Sequence, residues 1–168
     1  MTMKQITSLI TILFVSLLSS PSWSQTVSWD DLVERNDLYY KKFTDTPFTG
    51  EVNGEWNGEF KNGKRQGSWV RYHENGQLFS KEYFKDGKED GLWEFYHDNG
   101  QLSETVKYKD GFKYGLWRVY HNNGKLWVKG NYKDGKEEGH FENFDNSGKF
   151  LSSRTYKNGV VIKCRPSC

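Results

Sequence analysis

The stretch Gly91–Leu102, GLWEFYHDNGQL, recurs as GLWRVYHNNGKL over Gly115–Leu126 and as GSWVRYHENGQL over Gly67–Leu78. The step is 24 residues in both intervals, without insertion. Extending that step aligns Gly67, Gly91, Gly115 and Gly139, then Trp69, Trp93, Trp117 and Phe141, then Tyr72, Tyr96, Tyr120 and Phe144. Asn-Gly follows at Asn75-Gly76, Asn99-Gly100 and Asn123-Gly124, and becomes Ser147-Gly148 in the last copy. A second turn pair recurs as Asp86-Gly87, Asp110-Gly111, Asp134-Gly135 and Asn158-Gly159, with Asn62-Gly63 before them. An aromatic followed by Lys precedes each, at Phe60, Phe84, Tyr108, Tyr132 and Tyr156. So many matches in register define a repeat protein.

Each unit holds two turn signals about half a period apart. Asn-Gly and Asp-Gly suit the positive φ angles of tight hairpin turns. The runs between them are rich in Trp, Tyr, Phe and Val, which favour strands, and none is long enough for an ordinary helix. Each unit therefore reads as one β-hairpin joined edge to edge with the next. The expected fold is all-β: an elongated single-layer antiparallel meander. The strict period has a physical reason, because a slip of one residue turns every side chain to the opposite face. Equivalent residues in adjacent hairpins lie roughly 10 Å apart, so one ring reaches the next only by packing on the strand between. The Gly before each Trp is expected to leave bare backbone for a neighbouring ring to cover.

The composition fits a thin sheet. Of 168 residues, 35% are apolar and 17% are aromatic, so Trp, Tyr and Phe must carry most of the burial. Lys4, the uncharged run Ile6–Leu18 and Ser22-Trp23-Ser24 form the pattern of a secretory signal peptide cut after Ser24. The competing reading is a retained anchor, but thirteen helical residues span only about 20 Å of a roughly 30 Å hydrocarbon layer. Export to the periplasm or the exterior is thus expected. Removing residues 1–24 takes away Lys4 and no acid, leaving 23 bases against 22 acids. Their alternation argues against the clustered basic face that nucleic acid requires. Cys164 and Cys168 are disulfide candidates for a small tail staple, with a redox or metal pair as the alternative.

The units resemble MORN repeats in the bacterial variant of the YwqK-type family, often labelled an antitoxin family. The resemblance rests on Gly91-Leu92-Trp93, Tyr96, Asn99-Gly100 and Leu102, on Tyr108-Lys109-Asp110-Gly111 and Gly115, and on their copies. It covers about residues 46–159. The first unit lacks the Trp, Tyr and Asn-Gly elements between Gly50 and Phe60, and the last carries Phe141, Phe144 and Ser147. Atypical ends are what a stacked array uses as caps. Residues 25–45 are read as an N-terminal cap hairpin around Asn36-Asp37, with a short helix over 29–36 as competitor. Residues 160–168 are read as a C-terminal edge strand, Val160 to Ile162, and a Cys tail, with Lys163 and Arg165 discouraging further pairing.

No catalytic constellation emerges, and no enzyme activity or cofactor is expected. His73, His97 and His121 recur in register, but side chains roughly 10 Å apart cannot converge on one Zn²⁺. They read as polar residues leading into exposed turns, and no metal is expected. Ser152, Ser153 and Ser167 lack a nucleophile-elbow setting. The acids are expected at exposed turn positions such as Asp86 and Asp110, where burial raises no pKa. Binding remains. Trp69, Trp93 and Trp117 are candidate surface contacts, with a sheet-holding role as the alternative. Trp127 lies outside the periodic set, aligned with Phe79 and Ser103, and is a further candidate.

The leading expectation is an exported module for protein–protein contact with an unidentified partner. The resemblance implies an antitoxin- or immunity-like role. Glycan or cell-wall binding through aromatic stacking is one alternative, and a membrane-lipid-associated scaffold is another. Excising one full unit, 91–114, is expected to leave a shorter protein with a cooperative melt. Excising twelve of those residues is expected to abolish the melt, as read by circular dichroism.

Overall fold

The computed structural model describes residues 25–166; the expected signal peptide and Cys168 lie outside the described residues. The strands are β1 (Gln25–Ser28), β2 (Leu32–Arg35), β3 (Leu38–Lys41), β4 (Gly50–Asn53), β5 (Trp56–Lys61), β6 (Lys64–Tyr72), β7 (Leu78–Lys85) and β8 (Lys88–Glu89). They continue as β9 (Gly91–Tyr96), β10 (Leu102–Lys109), β11 (Phe112–Tyr120), β12 (Leu126–Lys133), β13 (Lys136–Glu137), β14 (Gly139–Phe144), β15 (Phe150–Lys157) and β16 (Val160–Arg165). From β4 to β16 they form one antiparallel sheet in chain order, except that the short β8 and β13 pair only with β7 and β12, which also pair with β9 and β14. This is the expected meander of hairpins.

The N-terminal part departs from a simple cap. β1 joins the main sheet by pairing parallel with β4, so residues 25–28 extend the array rather than sitting in a separate hairpin. A 3-10 turn, Trp29–Asp31, follows; Ser28 caps it and Asp31 reciprocates. The hairpin β2–β3 then turns at Asn36 and Asp37, both at positive φ, and forms its own two-stranded sheet. Trp29 and Tyr39 from this segment pack on Phe60.

The two recurrent turns differ. At Asp86-Gly87, Asp110-Gly111 and Asp134-Gly135 both residues have positive φ, which makes two-residue hairpins whose twist matches the strands. At Asn75-Gly76, Asn99-Gly100 and Asn123-Gly124 only the glycine does. There the loop has three residues, closed by Gly76 N–H to His73 O and His73 N–H to Gln77 O in the first copy. The Asn side chain accepts from the backbone two residues on, as in Asn75 Oδ1 from Gln77 N–H at 2.9 Å. One residue past each loop the ladder slips, which leaves Phe79, Ser103, Trp127 and Leu151 as bulged residues. Trp127 is thus off the pattern because it occupies a bulge.

At three of its four positions the glycine of this column is not covered by a ring, contrary to expectation. Gly67, Gly91, Gly115 and Gly139 all have positive φ. A Cβ added at Gly67, Gly115 or Gly139 would meet nothing within 4 Å, so no ring covers these sites. They mark a local irregularity in the ladder, where the register with the preceding strand shifts by two residues. At Gly91 a Cβ would lie 3.6–3.8 Å from Tyr83, so a ring does cover that one. The glycines most tightly covered by a ring in the aromatic row are Gly58 and Gly130. A Cβ there would come within 2.2 Å of the Trp69 ring and 2.3 Å of the Phe141 ring.

The core is a row along one face, called here the inner face. It runs from Trp69 to Phe84 (6.2 Å between ring centroids), to Trp93 (5.2 Å) and to Tyr108 (4.8 Å). It resumes from Trp117 to Tyr132 (5.9 Å), Phe141 (5.6 Å) and Tyr156 (4.9 Å). The ring on the intervening strand bridges the two repeats, and Trp117 and Phe141 also meet directly at 6.1 Å, closer than the roughly 10 Å expected for equivalent positions. Val52, Phe60, Trp69 and Val106 are the most completely enclosed apolar residues.

Two substitutions separate these glycine roles. Gly130→Ala pushes a methyl into Phe141 and is expected to cost about 1–3 kcal/mol by overpacking. Gly91→Val forces a β-branched residue to positive φ and is expected to cost a similar ~1–3 kcal/mol through backbone strain. Adding Phe141→Leu should relieve the first and leave the second unchanged, as measured by urea unfolding.

Candidate interaction surface

The recurrent polar residues knit the hairpins together. His73, His97 and His121 each place Nε2 3.0–3.1 Å from a carbonyl of the next hairpin, those of Tyr96, Tyr120 and Phe144. A carbonyl only accepts, so Nε2 carries the proton in each imidazole. Asn75, Asn99 and Asn123 donate Nδ2–H to the carbonyls of Asp98, Asn122 and Asn146 at 2.8–3.1 Å. Along the opposite edge the turn glycines Gly87, Gly111, Gly135 and Gly159 donate N–H to Arg65, Glu89, Lys113 and Glu137 carbonyls. Both edges are therefore laced from one repeat to the next. Among the described residues no three His, Cys, Asp or Glu side chains converge as metal ligands.

The last unit departs from the motif where its next neighbour would be. Asp145 stands in the His position and Ser147 in the Asn position. Asp145 Oδ1 accepts from Ser147 Oγ, Ser147 N–H and Lys149 N–H at 2.6–3.0 Å, closing the loop on itself. The Ser147 hydroxyl, with the Lys149 amide, holds this carboxyl below the usual range.

The first repeat carries charge inside. Arg65 lies 5.1–5.3 Å from the ring centres of Trp29, Trp56, Trp69 and Phe84, and 6.0 Å from Tyr39. It thereby fastens the N-terminal segment to the row by cation–π contact. Glu82 is buried on the same face and accepts from Ser80 Oγ at 2.8 Å. Burial pushes its pKa up, against the Ser80 hydrogen bond and the charges of Arg65 and Arg71. This corrects the expectation that the acids sit only at exposed turns. Burial, with Glu89, Glu104 and Glu82 nearby, drives the Tyr108 phenol up to about 12.

Of the candidate contacts, Trp69 and Trp93 are buried in the row and are not surface contacts. Trp117 is half-buried; it packs on Tyr132 and donates Nε1–H to Glu104 at 2.7 Å. Trp127 is 49% exposed and stacks on His121, with 5.4 Å between ring centroids. Cys164 is disulfide-bonded.

The opposite, outer face holds what the sequence reading missed. Leu92 and Leu116 follow the positive-φ glycines and point away from the row; they are 48% and 41% exposed. Tyr83, Tyr114 and Phe112 are exposed beside them. Leu92 and Tyr114 flank Lys107 on adjacent strands. A hollow of about 500 Å³ lies over Gly91 between Tyr83, Leu92 and Val70. Another of about 600 Å³ lies over Gly115 between Tyr114, Phe112 and Asn131. The ion pairs Lys81–Glu94 (3.8 Å) and Lys129–Glu142 (2.6 Å) stand toward the Asn-Gly edge. An apolar stripe beside charged residues is the arrangement of a contact surface. The available signal was an apolar residue at an outward strand position in two consecutive repeats.

Glu82→Gln tests the buried acid. A raised folded-state pKa means that the group's stabilising contribution is full below its unfolded pKa and is lost as pH rises through the folded value. Glu82→Gln should therefore raise the melting temperature at pH 7 by about 2–4 °C per kcal/mol recovered, and the gain should vanish near pH 4.

No curated protein matches the chain. The family model described as "MORN repeat variant" matches residues 65–86, 89–110 and 113–134. These segments are the hairpins that carry the two hollows and most of the aromatic row. The centre of the sheet is thus built from three tandem repeats of the MORN variant type.

Proposed function

We propose that this chain is an exported, non-enzymatic repeat module that binds a partner protein through the outer face of its central repeats. The observation that carries the reading is the set of exposed outer-face residues Tyr83, Leu92, Tyr114 and Leu116, beside two hollows on the sheet. Repeats of this kind serve as modules for protein or membrane interaction. The stripe is apolar with charges beside it, which suits a protein surface better than an anionic bilayer. An immunity-like role, with a toxin as partner, is the more specific form of this reading and rests on the resemblance alone.

A second reading has its own observation. The exposed Trp127 indole, stacked on His121, is the kind of aromatic face that sugar rings cover, so glycan or cell-wall binding would centre there. The protein lacking residues 1–24 separates the two. Chemical cross-linking in an envelope extract should yield a discrete adduct that Leu92→Ser/Leu116→Ser abolishes and Trp127→Ala leaves. Pelleting with peptidoglycan that is lost in Trp127→Ala, with no such adduct, would replace this reading by the second. Co-sedimentation with anionic liposomes alone would replace it by a membrane scaffold.

A further inference from the structure

We infer that the free edge of β16 is a docking site for an acidic, extended polypeptide segment, added to the sheet as a further strand. This surface is separate from the outer-face stripe and does not depend on the reading given for it.

The first observation concerns the backbone. β16 pairs with β15 on one side, and no strand among the described residues pairs on the other. Lys157 and Val160 flank the two-residue turn Asn158-Gly159 and pair inward. The next residue, Val161, therefore points its N–H and C=O away from β15. Its counterparts one to four repeats back are Glu137, Lys113, Glu89 and Arg65, and each gives its carbonyl to the turn glycine of the following hairpin. β16 thus corresponds to the opening strand of a unit, with no second strand among the described residues.

The second observation is apolar exposure. Val160, Val161 and Ile162 are 65%, 41% and 61% exposed, side by side on the last strand. An added strand would cover them on both faces.

The third is charge. β15 and β16 carry Arg154, Lys157, Lys163 and Arg165 and no acid. The alternation of Lys and Glu that holds over the rest of the chain stops here. Basic residues on an edge discourage pairing with a like edge. A second copy would set Lys163 and Arg165 against their own kind, whereas Asp or Glu on an incoming strand would pair with them. Strand addition of this sort draws affinity from main-chain hydrogen bonds and selectivity from alternate side chains.

The test uses residues 25–168 and a fluorescent octapeptide of alternating Glu and Val, with a Lys–Val octapeptide as control. Fluorescence anisotropy should show at least tenfold tighter binding of the Glu–Val peptide, weakening as salt rises. Hydrogen exchange at the Val161 amide should slow when it binds. Lys163→Glu/Arg165→Glu should weaken binding at least tenfold. Val161→Pro removes only an outward N–H and should abolish binding with the thermal melt retained. Leu92→Ser/Leu116→Ser should bind the peptide like the parent, which separates this inference from the outer-face reading. Equal binding of both peptides, or unchanged Val161 exchange, overturns it. So does self-association that Val161→Pro abolishes, which would put a second copy on the edge. Pelleting with phosphatidylglycerol vesicles without peptide binding also overturns it.

Discussion

Beyond the N-terminal segment, where Trp29 and Tyr39 cover Phe60, the sheet has no second layer to bury its rings against, and this constraint governs the repeats. Burial has to come from the side, from the neighbouring hairpin. Trp69 lies over the bare backbone of Gly58, and Phe141 lies over Gly130. Between them Phe84, Trp93 and Tyr108 meet at 4.8–5.2 Å. Such contacts exist only if every hairpin enters at the same register. Each unit alone would leave its Trp in water, so stability is shared between neighbours.

The hydrogen bonds along both edges enforce that register. One side is laced by His and Asn side chains, and the other by turn glycines bonding to the preceding repeat. His73, His97 and His121, expected only to lead into exposed turns, instead join each hairpin to the next. A carbonyl of the next hairpin always lies within reach of the imidazole. In the last described unit Asp145 takes the place of the His and turns the loop back on itself. At the N-terminal end Arg65 under four close rings, with Tyr39 beside them, performs the corresponding closure.

With the inner face committed to packing, the outer face and the edges of the sheet are what remain exposed. The outer face offers leucines and tyrosines around hollows that include Gly91 and Gly115. The unpaired edge of β16 offers backbone, valines and positive charge. A repeat architecture produces both kinds of surface at once, a periodic face and an interrupted end.

Period, turn pairs and aromatic spacing were legible in the chain, because backbone dihedral preference and side-chain alternation are local properties. They yielded the hairpins, the meander and the atypical ends. The use of each glycine was not legible: Gly91 and Gly130 look alike in a sequence, and only the path of the neighbouring strand shows that one bends the backbone while the other admits a ring. Nor was the burial of Glu82, since its column holds Gly58, Val106 and Gly130 elsewhere and only the packing of the adjacent hairpin encloses it. The tertiary structure also decided which tryptophans are hidden. Whether a ring is covered depends on a neighbour 24 residues away and on the strand between, and that distance is closed only when the sheet assembles.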